Sequence, residues 1–472
     1  MINHQDIDRD SASLFLSGVK IFLNLDVPII DDIADRMTMA SFTRDEYLIH
    51  KGNPGQSMML IKKGEISVLL DDKVIQLKKG TVIGEMSLLS GKPSQADVIA
   101  CTDVDVFMLD RNDFQELMSR HTELASVMTA LMKSRLAGKQ GIKNVGKYQI
   151  LDQLGEGGMS IVYNAYDPEL DREVAIKMLK YEIATSTDFK QRFKQEARTI
   201  ARLNHQNILH VIETIAEYST DFIVMEKLKG SNLSHYLKHR GVFEVDQTCH
   251  ILYQVALALE HANDKKNGGI IHRDVKLSNI ILDENGFVKL MDFGIASNDE
   301  VVPAHFEGTV LYTAPELLLG RHIDYRVDIY ALGITAFAML TGQTPFASND
   351  INEVIRRQLQ DTPPLIESLV PKVTPNLAQF INRALIKDPE QRISDWQEIK
   401  ALLSTEKNQF IDLDSSGDRD MAIVIKINSA EVYIPSLLSD LETTLKQHLL
   451  NYDLDTVVHD SSGQDITIDE VL

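Results

Sequence analysis

The stretch HRDVKLSN, His272 to Asn279, places a carboxylate, an ammonium and an amide within six residues, and DFG follows at Asp292 to Gly294. Side chains of this kind, so close together, can orient a hydroxyl and offer oxygen ligands to a hard cation. Upstream lies LGEGGMSIV, Leu154 to Val162. EVAIK follows, ending at Lys177, and then FKQEARTIARLNHQNIL, which contains Glu196. The last of these predicts a helix whose apolar positions Phe193, Ile200 and Leu203 share a face. GTVLYTAPE, Gly308 to Glu316, comes after DFG.

Taken singly, a glycine-rich hairpin is common and a Lys–Glu pair is most often a surface bridge worth little. Together the pieces form one chemical set. Gly155 and Gly157 allow a strand–turn–strand backbone to lie close over phosphates, where amide groups donate to oxygens. Lys177, on the next strand, can grip phosphate oxygens, with Glu196 as the ion-pair partner that holds it. Asp274 can orient an attacking hydroxyl and accept its proton, while Asn279 and Asp292 supply oxygens for magnesium.

In this order the motifs resemble the protein kinase family, from Lys147 to about Leu403. Lys276 looks like the serine/threonine branch, where that lysine contacts the transferring phosphate. LGEGGMSIV and YDPELDREVAIKML look most like the bacterial eukaryotic-type kinases. The resemblance implies a two-lobed α+β fold, ATP and Mg2+ as cofactors, and protein substrates bearing Ser or Thr. It makes Asp274, Lys276, Lys177 and Glu196 catalytic, and Asn279 and Asp292 metal ligands. The loop Gly155, Glu156, Gly157 and Gly158, with Lys177, would hold the phosphates. Leu154, Val162, Ala175 and Ile281 would sandwich adenine, with Met225 at the back and Glu226 and Leu228 as the hinge. Asp328 would brace the catalytic loop, and Glu316 would pair with Arg392. Ser160 departs from a loop glycine found in many relatives, a change too small to prevent nucleotide binding. The complete catalytic set predicts an active enzyme rather than an idle scaffold.

Ahead of this region, short β-like runs alternate with glycine-bearing turns from Leu14 to about Leu109, the pattern of a small barrel or jelly roll. MMLIKKGEISVLL reads as one strand pair around Lys63-Gly64. A helix is expected after Asp110, and a second carries the apolar stripe Leu124, Val127, Met128, Leu131 and Met132. Gly52, Gly55, Gly64, Gly80 and Gly84, with IGEMSLL, resemble a cyclic-nucleotide-binding domain. In that family Glu85 would accept from the ribose hydroxyl. The phosphate loop is GKPSQADV, Gly91 to Val98, with Ser94 where an arginine would neutralise the phosphate and Asp97 adding a carboxylate nearby. The expectation is a retained shell with a degenerate phosphate site. A cyclic-nucleotide-dependent kinase is the alternative.

The chain has 472 residues and a net charge of -21, with 44% hydrophobic residues. Two or three domains are expected, and the acidity argues against nucleic acid as a partner. Two cysteines, Cys101 and Cys249, exclude a disulfide scaffold. The longest apolar run, Ile329 to Leu340, is too short to span a bilayer, and the polar start is unlike a signal peptide. The expected location is cytoplasmic.

The expected organisation is a regulatory cyclic-nucleotide-binding-like domain over 1–137, open to a regulatory ligand or protein, then a linker over 138–146. The kinase domain covers 147–403, a second linker 404–420, and a small α/β unit 421–472. AIVIKI, residues 436–450 and the runs DTVVHD and DITID provide the tail's strand, helix and further strands. Between Ala296 and Gly308 the hydroxyl is Ser297, so activation is expected to need no phosphate there.

Overall fold

The computed structural model describes residues 8–70, 73–137, 144–184, 187–293, 310–405, 458–459 and 465–466. The expectations placed on the 296–308 segment, on AIVIKI and on 436–450 lie outside the described residues. Two units emerge, Met1–Asn408 and Gln409–Leu472. In the second, Val458–His459 pairs antiparallel with Asp465–Ile466, within the runs read as strands.

The first unit begins with helices α1 (Arg9–Ser17) and α2 (Val27–Arg36) and then eight strands. These are β1 (Thr38–Phe42), β2 (Tyr47–Ile49), β3 (Ser57–Lys63), β4 (Glu65–Leu70), β5 (Lys73–Lys78) and β6 (Val82–Ile83), then, after helix α3 (Glu85–Ser90), β7 (Asp97–Ala100) and β8 (Val104–Asp110). They form two four-stranded sheets, ordered β1-β8-β3-β6 and β2-β7-β4-β5. Both sheets turn alternate apolar residues inward, including Phe42, Ile61, Ile66, Val98 and Val106, as a sandwich core requires. The strand pair read around Gly64 is corrected: β3 and β4 belong to different sheets. Gly64 is a corner, at φ 92, where a Cβ would lie 2.4 Å from the Asp103 carbonyl oxygen.

Helix α4 (Arg111–Arg120) starts where expected, because the Asp110 carboxylate accepts from the Asp113 amide at 2.9 Å. Helix α5 (Glu123–Ala137) then buries its stripe. Its apolar residues share one core with Tyr148, Ile150, Tyr163, Ile176 and Phe222 of the next domain. The N-terminal module and the domain that follows are therefore packed through α5.

That next domain opens with β9 (Asn144–Val145), β10 (Tyr148–Glu156), β11 (Ser160–Asp167) and β12 (Arg172–Leu179), then helices α6 (Tyr181–Ala184) and α7 (Thr187–Ile200). Beyond α7 the chain returns to strands β13 (Val211–Glu217) and β14 (Thr220–Glu226). The antiparallel sheet runs β13-β14-β12-β11-β10-β9. Its last edge strand falls within the stretch read as linker.

The helical lobe contains β15 (Ser231–Asn232), α8 (Leu233–Arg240), α9 (Val245–Asn263), β16 (Ile280–Leu282), β17 (Val288–Leu290), α10 (Pro315–Leu318) and α11 (Arg326–Thr341). It closes with α12 (Ile351–Gln360), α13 (Ile366–Leu369), α14 (Pro375–Ala384) and α15 (Trp396–Leu403). Helix α11 is buried on every side from Val327 to Leu340, which accounts for the long apolar run. Arg392 pairs with Glu316 at 2.6 and 3.0 Å, both side chains buried. Among the described residues no helix is long and apolar enough to cross a membrane.

Candidate active site and the N-terminal cavity

Strand β12 carries Lys177 beside Val162 of β11 and Ile223 of β14. Helix α7 buries Phe193, Ala197 and Ile200, which points Glu196 toward the sheet. The Lys177 ammonium lies 3.2 Å from a Glu196 oxygen and 2.8 Å from Asp292 Oδ1. Burial opposes charge on this lysine, but Asp292 and then Glu196 outweigh it and raise its pKa. Burial also opposes charge on Asp292, yet Lys177 holds that carboxyl low. Glu196 is raised by burial, since one ammonium serves two carboxylates. The ammonium thus sits between one carboxyl that is lowered and one that is raised.

The loop that carries His272 to Asp274 is braced from α11. Asp328 accepts from the amides of His272 and Arg273 at 2.8 and 2.7 Å, and Arg273 sits at φ 65. Burial pushes Asp328 up to about 7 and His272 down to about 4. His272 is buried against Phe293, with ring centroids 4.4 Å apart, so it acts as a neutral packing group.

Asp274 is the residue this frame presents. Its Oδ2 accepts from Lys276 Nζ and Asn279 Nδ2, each at 2.8 Å. Its Oδ1 is buried and makes no hydrogen bond. Burial raises its pKa, opposed by Lys276.

Beside this cluster, Ala175, Leu209 and Met225 are buried together, with Val162, Leu228 and Met291 packed against them. Four of these six were singled out in the sequence. Leu209 and Met291 were not: the topology brings them in, with the Leu209 amide donating to the Leu290 carbonyl at 3.0 Å. Leu154 is 49% exposed and Ile281 half-buried on β16. The Glu226 side chain accepts from the His210 amide and from Lys289, each at 2.7 Å. A Cβ at Gly155 or Gly158 would meet nothing within 4 Å, while the Gly157 amide donates to the Ser160 carbonyl at 2.8 Å and closes the turn.

Residues 148–405 match the Protein kinase domain family, more than half of the chain. The chain belongs to the protein kinase family. This chain is 36% identical over 264 residues to serine/threonine-protein kinase PrkC of Bacillus subtilis (strain 168), covering 55% of this chain and 40% of that protein. It is 34% identical over 266 residues to serine/threonine-protein kinase PknA of Mycobacterium tuberculosis (strain ATCC 25177 / H37Ra), covering 54% and 60%. The chain thus spans less than half the length of PrkC. A crystal structure of the Mycobacterium tuberculosis PknI kinase domain aligns at 29% identity and a TM-score of 0.45, covering 55% of this chain and 96% of that one. Residues 39–121 match the Cyclic nucleotide-binding domain family.

In the N-terminal module strands of both sheets, α3 and the loop after it line an open cavity of about 610 Å³, which Arg135 of α5 and Asn144 and Tyr218 of the next domain also border. Its walls are mostly apolar, and its charged lining is Lys51, Lys73, Arg135 and Glu85. Glu85 is 3% exposed and accepts from Arg135 Nε at 2.8 Å, while Arg135 also donates to the Val82 carbonyl at 2.6 Å. The group expected to meet a ribose is therefore paired with α5. Ser94 lines the cavity, and its hydroxyl donates to the Ala96 carbonyl at 3.1 Å. The expectation for Asp97 is corrected. Ala96 and Val98 point inward, so Asp97 points outward and accepts from the Lys51 amide at 2.8 Å. Asp97 therefore adds no carboxylate to the cavity.

Proposed function

We propose that this chain is a serine/threonine protein kinase that transfers the ATP γ-phosphate to Ser or Thr hydroxyls of proteins. The observation that carries the reading is Asp274: one carboxylate oxygen fixed by Lys276 and Asn279, the other buried and without a hydrogen bond. A buried acceptor left unpaired costs free energy unless function uses it. Here it is placed to take the proton of an incoming hydroxyl.

Around it, Lys177 would hold phosphate oxygens and Glu196 would hold Lys177. Lys276 would sit against the transferring phosphate. Asn279 and Asp292 offer an amide and a carboxylate oxygen, donors that suit Mg2+ bound through one or two protein ligands and the phosphates. When bound, magnesium supplies charge neutralisation for the phosphates. The buried cluster of Ala175, Leu209 and Met225 offers adenine an apolar slot beside the Glu226–Leu228 hinge. Cys101 and Cys249 are free thiols, in keeping with the reducing cytoplasm where ATP is abundant.

The N-terminal module is read as regulatory, with a cyclic-nucleotide site that has lost its phosphate partner. The test is transfer of radiolabelled γ-phosphate from ATP, by the full chain and by its Asp274→Asn variant. The variant should lose about 100- to 10,000-fold in rate with an unchanged melting curve. Equal rates would remove Asp274 from its role, and no transfer by the unaltered chain would favour the scaffold reading.

A further inference from the structure

Helix α5 lies between the N-terminal sandwich and the kinase sheet, and polar groups spaced along it reach both. On the kinase side, the Thr129 hydroxyl accepts from the Tyr181 amide at 2.9 Å and donates to Glu182 at 2.6 Å. Both residues are in α6, which leads into the Glu196 helix. One turn further along α5, Lys133 donates to the carboxylate of Glu156. Glu156 ends β10, the strand that enters the glycine-rich turn. Lys180 reaches the same carboxylate at 3.0 Å. On the opposite side of the helix, Arg135 holds Glu85 of α3.

A second contact keeps the module in register. The β13–β14 turn is Tyr218-Ser219, both at positive φ (52 and 59), as a two-residue hairpin of the I′ kind demands. Glycine and asparagine are usual there, and this turn has neither. Its residues are instead held by the phosphate loop region: Ser219 donates to the Leu89 carbonyl at 2.7 Å, and Lys92 pairs with Glu217. With its tip fixed here, the module brings Lys133 to Glu156.

We propose that Lys133, which lies outside the matched kinase domain, is a positioning residue for nucleotide: by holding Glu156 it sets the glycine-rich turn, so that the N-terminal module completes the ATP site in cis. The proposal rests on the kinase reading above. The hairpin backbone closes on itself, with Gly155 opposite Val162 and the Gly157 amide donating to the Ser160 carbonyl at 2.8 Å, but a Cβ at Gly155 or Gly158 would meet nothing within 4 Å, and glycine backbone has the most conformational freedom to lose when phosphates bind. The described side-chain anchors of the turn are the two ion pairs of Glu156. One comes from within the kinase domain and the other from the regulatory module. Hydrogen bonds from Lys133 and then Lys180 lower the Glu156 pKa to about 2, so the carboxylate is ionised at physiological pH. The Lys133 and Glu156 side chains are about 40% and one third exposed, so the pair is a modest one.

The experiment is calorimetric titration of the full chain with a non-hydrolysable Mg–ATP analogue, together with KM for ATP and kcat on a general acceptor protein. Lys133→Ala should weaken analogue binding about two- to fivefold, the range of a partly exposed pair. Lys133→Glu, which sets like charges together, should weaken it more, and Lys133→Arg should restore it. KM should rise in step while kcat holds. In a Glu156→Gln background, Lys133→Ala should add nothing, because the pair is already broken. Wild-type affinity in both Lys133→Ala and Lys133→Glu would overturn the proposal. So would an undiminished Lys133→Ala effect in the Glu156→Gln background, or failure of the unaltered chain to bind the analogue. A chain that binds the analogue as predicted but transfers no phosphate would sink the kinase reading while leaving the positioning role intact.

Discussion

The active site and the N-terminal cavity hold similar ingredients, buried carboxylates beside cations, and differ in what is left over. In the candidate active site one ammonium, Lys177, is shared by Glu196 and Asp292, and Asp274 keeps one oxygen unpaired. In the cavity Glu85 and Arg135 satisfy each other, and Ser94 is bonded to its own loop. Unspent bonding capacity marks the site that waits for a ligand. Where the protein has closed every pair itself, the polar residues hold the fold together.

The largest effect should come from breaking the open site. Lys177→Met should lower phosphotransfer about 100- to 1,000-fold, the range for losing one preorganised group at developing charge. Its denaturation midpoint should fall as well, because Glu196 and Asp292 lose their shared ammonium, so the rates are compared at a temperature where both chains are folded. A rate within a factor of a few of the unaltered chain would remove the lysine from phosphate binding.

Breaking the closed site should instead cost stability. Arg135→Ala leaves Glu85 buried without its partner, and losses of about 3 kcal/mol follow from breaking such pairs. Chemical denaturation followed by tryptophan-independent circular dichroism would register this in the N-terminal module. An unshifted transition would mean that water reaches Glu85 freely.

A smaller gain should come from reopening the closed site. Ser94→Arg supplies the missing fork for a phosphate, and Arg135→Gln releases Glu85 for a ribose hydroxyl. Charge-assisted bonds contribute about 1.5–3 kcal/mol each. The double variant should therefore bind cyclic AMP at least about tenfold more tightly than Ser94→Arg alone. Equal affinities would show that Glu85 is available to ligand despite Arg135.

Much of the kinase half was legible because its chemistry sits in short motifs whose residues act near one another. The bracing of the catalytic loop by Asp328 and the Glu316–Arg392 pair were readable for the same reason. Leu209 and Met291 were not, since each lies in the pocket through strand order and carries no motif of its own. At Lys63-Gly64 a corner and a hairpin look alike in sequence, and only pairing with β8 and β7 separates β3 from β4. The Glu85–Arg135 pair joins residues 50 apart and left no local trace. Asp97 could have been read correctly: on a strand whose neighbours Ala96 and Val98 are buried, the residue between them faces out.

The most direct test titrates one preparation of the full chain by calorimetry, first with a non-hydrolysable Mg–ATP analogue and then with cyclic AMP. The account predicts saturable binding of the analogue and no heat of binding for cyclic AMP at about 0.1 mM, a concentration that detects affinities stronger than about −5.5 kcal/mol. Micromolar cyclic AMP binding would contradict it, because the pair that closes the cavity would then have to open for a ligand.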